Sequence, residues 1–265
     1  MESRIAGALH LRYQPVAVVL ADEAPDDAQQ FAEGRWGCVV SLIAAAAKGR
    51  TVAFCDETCG CGGGKVGLGF SDFNRSWIEP FLSTGTPETE GEHHRKTPEC
   101  AAGFVDSLPD LRVPTRYVVM KPFSALAEED EPVLAVMLVD ADQLAGWVTL
   151  ANYDTPYRDN TILGAGSACQ SIVLLGLEQA GQEWPRAVLG MTDPAARRYV
   201  DRDLLSVTVP WRRFLEMEGN VEGSFLTYDV WAQLSERIAT ANRPKALPQE
   251  ALHESSRAAD RASGE

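Results

Sequence analysis

Cys38-Val39-Val40-Ser41-Leu42-Ile43-Ala44-Ala45-Ala46-Ala47-Lys48-Gly49-Arg50-Thr51-Val52-Ala53-Phe54-Cys55 spells a helix, its stop and a strand without a break. Trp36-Gly37-Cys38 opens an alanine-rich helix that runs to about Lys48, and Gly49 supplies the left-handed residue that ends it. Thr51 to Cys55 is short, apolar and part β-branched, which predicts a strand. A helix passing straight into a strand is the unit of a layered α/β chain.

The same alternation extends in both directions. Upstream, Pro15 to Leu20 reads as a buried strand, followed by a polar segment from Asp22 to Glu33. Downstream, 71–83 reads as irregular or weakly helical, 84–98 as a surface loop and Pro98 to Ser107 as a short helix. Tyr117 to Met120 and Val133 to Val139 are strand-like. Asp140, with Gln143 three residues on, forms a capping box that starts a helix to about Asn152. A second glycine turn, Gly164-Ala165-Gly166-Ser167-Ala168-Cys169, launches a helix to Ala180, with no clear strand before it. Ala187 to Gly190 and Leu204 to Val209 read as strands, and Pro210 and Thr227 start two late helices. The expected fold is therefore α/β (or α+β), a layered mixed sheet with helices, as one domain over 1–242 and a disordered tail over 243–265. A faint echo between Cys38-helix-strand-Cys55 and Cys169-helix-strand-Met191 suggests halves at 1–110 and 111–242. Related halves would set both helix-leading cysteines at the ends of adjacent strands.

A net charge of −14, from 38 acidic and 24 basic residues, repels phosphate backbones and anionic lipid surfaces; neither nucleic acid nor membrane is the expected partner. No run approaches the roughly 20 apolar residues of a bilayer span, and no signal-peptide core follows Met1, so the expected location is the cytoplasm. In a reducing compartment six cysteines point to metal binding or redox chemistry before disulfides.

Three of the six fall in Cys55-Asp56-Glu57-Thr58-Cys59-Gly60-Cys61-Gly62-Gly63-Gly64-Lys65-Val66-Gly67-Leu68-Gly69. Thiolates are soft ligands, and consecutive glycines let a backbone wrap what they hold. Cys55, Cys59 and Cys61, completed by Cys38 or Cys169, could supply the four thiolates of an iron–sulfur cluster, while the paired knuckles of a structural zinc are absent. The phosphate-loop pattern fails, because Cys59 stands where its first glycine belongs and Val66 follows Lys65. A backbone nest at Gly62, Gly63 and Gly64 survives as a binding element. Gly164 and Gly166 give two thirds of a dinucleotide fingerprint and mark a second binding turn. Cys169, in the first turn of its helix, gains thiolate character from the helix dipole or else packs beneath the turn. Cys100 and the His93-His94 pair read as solvent-facing, and no Ser/His/Asp or Cys/His triad is legible.

The order of Gly37-Cys38, Cys61-Gly62-Gly63, Leu68-Gly69, the Asp140–Tyr153 helix, Ala168-Cys169, Val188-Leu189-Gly190 and Val209-Pro210 resembles the domain-of-unknown-function 169 family of anaerobic bacteria and archaea. The resemblance runs to about residue 240 and implies shared cysteine positions at Cys38, Cys61 and Cys169, with Met191 where relatives often carry another cysteine. It implies no activity. Three expectations stand: an iron–sulfur or soft-metal protein using Cys38, Cys55, Cys59, Cys61 and Cys169; a small-molecule binding module lined by the two glycine turns; and a thiol protein with a redox partner using Cys61 or Cys169. A homo-oligomer is open in all three.

Overall fold

Valines and alanines at alternate positions decide the architecture, because two middle strands are apolar on both faces. In β1 (Val16–Ala21), Val16 and Val18 face one side and Ala17 and Val19 the other. In β4 (Pro132–Val139), Leu134, Val136 and Leu138 oppose Ala135, Met137 and Val139 in the same manner. A sheet apolar on both faces must be covered on both. The computed structural model describes residues 1–242; the expected disordered tail, 243–265, lies outside the described residues.

Seven strands form one sheet in the order β2-β3-β1-β4-β7-β6-β5, with β2 Val52–Phe54, β3 Tyr117–Pro122, β5 Thr161–Leu163, β6 Ala187–Gly190 and β7 Leu205–Pro210. All neighbours are antiparallel except β5 and β6, so the sheet is mixed. One face carries α2 (Val39–Ala47) and the helix at 168–180; on the other lie α1 (Arg4–Ala8), α6 (Ala141–Ala151), α8 (Trp211–Asn220) and α9 (Asp229–Ala241). The Asp140–Gln143 capping box is present in full.

Four expectations change or sharpen. The glycine run is not a loop: Gly62–Gly67 forms a short helix, α3, capped by Cys61. Arg75–Leu82 is a helix, α4, despite Pro80 inside it, and it packs on α5 (Pro98–Asp106). A strand, β5, does precede Gly164; it is only three residues long and pairs in parallel with β6, which hid its period. The strands that follow the two helix-leading cysteines, β2 and β6, are not adjacent. Four strands separate them, and β3, from beyond residue 110, sits between β2 and β1.

The helix at 168–180 contains a π-helical stretch, Gln170–Leu174, before α7 (Leu175–Ala180). Such widened turns recur at functional sites. Ala168 and Cys169 stand directly before this one.

Candidate functional site

The starts of three helices meet in one cleft of about 770 Å³, lined among others by Cys38, Cys61 and Cys169. Cys38 is the N-cap of α2 and makes no side-chain cap bond. Cys61 caps α3, its Sγ accepting the Gly64 N–H at 3.3 Å. The Cys169 thiol donates to the Gly63 carbonyl at 3.5 Å and lies 3.3 Å from Ser167 Oγ. That contact crosses from the first glycine segment to the second helix. It depends on Gly67, where a Cβ would stand 2.6 Å from Cys169 Sγ and 2.9 Å from the Gln170 nitrogen.

Burial, more than the helix dipoles, sets the thiol chemistry. It raises the Cys38 pKa above its ordinary value, pushes Cys59 up to about 11, and pushes Cys169 up to about 12. At neutral pH these three groups are thiols. The expected Cys169 thiolate is not favoured, because burial raises the pKa of this sulfur.

Cys55 and Cys59 turn away from the cleft. Cys59 is buried in the core and its thiol lies 3.7 Å from the Cys61 carbonyl. Cys55 is buried beside Thr58 Oγ1 at 3.3 Å. Among the described residues, no three Cys, His, Asp or Glu side chains gather closely enough to hold a metal ion. The five candidate ligands therefore separate into three around the cleft and two behind it. Cys100 is exposed on α5, and all six cysteines are free.

Both glycine turns reach the cleft. Gly62, Gly63 and Gly64 form part of its wall, as does Gly166, whereas Gly164 is buried behind it against Val188 and Leu175. Met191 is also buried off the cleft, with a left-handed φ of 63° that turns the chain out of β6 into the wall segment Thr192 to Ala196. Asp193 in that segment accepts from the Ala168 N–H at 3.4 Å and the Ala195 N–H at 3.0 Å, so it caps the second helix.

Residue order along the chain concealed the opposite wall. Trp77 and Phe81 of α4 stack with ring centroids 4.9 Å apart. Arg95 lies over the Phe104 ring at 4.4 Å, and Arg198 over Tyr199 at 5.0 Å. Trp36, 65% exposed, stands at the mouth. The i, i+4 spacing of Trp77 and Phe81 was the one available signal, and Pro80 masked it.

Residues 4–220 match a family described as DUF169, uncharacterised ArCR. The chain belongs to the DUF169 family. No curated protein and no solved structure matches it. The DUF169 match contains the whole cleft and ends before α9, whose Trp231 covers Gly146 and donates to the Ala8 carbonyl at 3.1 Å. Among the described residues no helix is long and apolar enough to cross a membrane.

Proposed function

We propose that this DUF169 protein is a small-molecule binding module whose ligand lies in the cleft between the starts of α2, α3 and the helix at 168–180. The observation that carries this reading is the cleft itself. At about 770 Å³ it falls in the range of small-ligand sites, roughly 300–1,000 Å³, and it joins aromatic faces to a few polar groups in the manner of such sites. Cys38, Cys61 and Cys169 form part of its floor.

Gly63 offers a test. A Cβ there meets nothing within 4 Å, so a side chain can start from this wall without a clash at its first atom. Compounds from a metabolite library that raise the Tm of the native protein are expected to lose that effect on Gly63→Trp. Hits that stabilise both proteins equally bind elsewhere and defeat the proposal.

A second reading has its own support. Cys38, Cys61 and Cys169 share one wall although more than a hundred residues separate the first two from the third. Soft-metal or iron–sulfur ligation by this set requires that the thiols lose their protons to the metal and draw closer. Anaerobic reconstitution with iron and sulfide is expected to give thiolate charge-transfer absorption that Cys61→Ser removes. Equal spectra from both proteins would exclude these ligands.

A further inference from the structure

The cleft lining sets stacked aromatic rings beside a cationic group, and that combination states what it would hold. Trp77 and Phe81 present stacked rings, with Trp77 46% exposed and its ring edge against Gly62. Beside them, where the Arg95 backbone N–H donates to the Leu82 carbonyl at 2.8 Å, the Arg95 guanidinium rests on Phe104, and neither Arg95 nor Arg198 forms an ion pair with a described carboxylate. An arginine stacked on an aromatic ring keeps its fork of donors oriented while its charge stays available.

Gln170 adds a second donor beside them. Its Oε1 accepts the Ser167 N–H at 3.0 Å, which fixes the carboxamide orientation, since a backbone donor requires the oxygen there. Nε2 then points elsewhere, and among the described residues it has no acceptor although Gln170 is only 1% exposed. Buried donors are nearly always paired. The Gly166 turn lies between Gln170 and the Phe104 ring that carries Arg95: a Cβ on Gly166 would stand 2.7 Å from Gln170 Oε1 and 3.2 Å from that ring. A side chain at 166 would thus intrude on both. The two carboxylates in the lining differ: Asp193 is engaged by backbone N–H groups, and Glu92 is exposed.

We infer that the ligand of this cleft is an organic anion with a flat apolar body, its oxyanion bound by Arg95 and Gln170 Nε2 and its rings against Trp77 and Phe81. This rests on the reading of the cleft as a ligand site and adds the class of ligand. A carboxylate and a phosphate ester share the needed chemistry. The charge would come from the small molecule and not from nucleic acid, which the chain's net charge of −14 repels.

Three probes of equal body separate the terms: 2-naphthoate, 2-naphthyl phosphate and the neutral 2-naphthamide, titrated calorimetrically at low salt. At least one anion is expected to bind about tenfold tighter than the amide, with the preference shrinking as salt screens it. Arg95→Met keeps the stack on Phe104 and is expected to abolish the preference while leaving amide affinity within about twofold. Gln170→Leu is expected to weaken the anion several-fold. The better anion identifies the oxyanion class. The inference is overturned if the amide binds native protein as well as both anions, if Arg95→Met retains the preference, or if none of the three binds. Whether the cleft is a ligand site at all is decided separately by Gly63→Trp, whose effect on library hits does not depend on charge.

Discussion

Cys61 and Cys169 line the same cleft in different environments. Cys61 is partly exposed and its sulfur accepts a backbone N–H, whereas Cys169 is buried against Gly63. Alkylation of the native protein is therefore expected first at exposed Cys100, then at Cys61, with Cys55, Cys59 and Cys169 protected; mass spectrometry of iodoacetamide-treated protein reads the order. Labelling of Cys169 as fast as Cys100 would contradict this placement. The pH dependence follows from the same burial. The folded protein holds the Cys169 proton up to about pH 12, while an unfolded thiol releases it near its ordinary value of 9.0. The stabilisation is complete below that ordinary value and is lost as pH rises toward 12. Cys169→Ala is expected to flatten the alkaline limb of a Tm-versus-pH curve. An alkaline limb as steep as that of the native protein would contradict this. Burial thus argues against a thiolate at Cys169 at neutral pH.

At the scale of elements, α3 shows how packing overrules propensity. Four glycines in six residues disfavour a helix by about 1 kcal/mol each relative to alanine. It forms because Cys61 caps it and because Gly67 lets it press against the helix at 168–180. Two substitutions in this one helix should therefore act with opposite sign. Gly67→Ala forces a Cβ into Cys169 and the Gln170 backbone and is expected to cost about 1–3 kcal/mol. Gly63→Ala meets nothing and is expected to stabilise by about 0.5–1 kcal/mol. Urea unfolding with unchanged m-values checks both, and equal effects would refute the contact. Local signals showed α2, α6 and the long strands, because periodicity and capping are short-range. They missed α3 and β5 and showed α4 only weakly, where glycines, a three-residue length and an internal proline hide the period.

Across the whole molecule, a few charges tie distant parts of the chain. Arg12, just before β1, reaches Asp201 at 2.8 Å and Asp203 at 2.7 Å, next to the start of β7. Hydrogen bonding from Arg12 holds both carboxyl groups below their ordinary range. Their contribution is present above the ordinary carboxylate pKa of 3.8 and is lost as pH falls through the depressed values. Arg12→Met is expected to lower Tm at pH 6 by no more than a few degrees, since the pair is partly exposed, and to leave a shallower acid limb. An acid limb as steep as that of the native protein would show that other carboxylates govern acid unfolding.

The amino-acid sequence by itself determined the layered α/β class, most element positions and the family, and it singled out Cys38, Cys61, Cys169 and the two glycine turns as candidates. Each of these depends on residues close together in the chain, where side-chain period, caps and breakers act. Only the tertiary structure decided which thiols face a common space. Cys55 and Cys59, neighbours of Cys61 in sequence, point into the core, while Cys169 arrives from more than a hundred residues away. The stacked aromatic rings and Arg95 come from α4, α5 and the loop before α5, where local sequence marks only a weak helix and solvent-facing residues. The physical reason is the same throughout. The direction a side chain faces is set by what its element buries, and that depends on strand order and helix packing that no local signal carries.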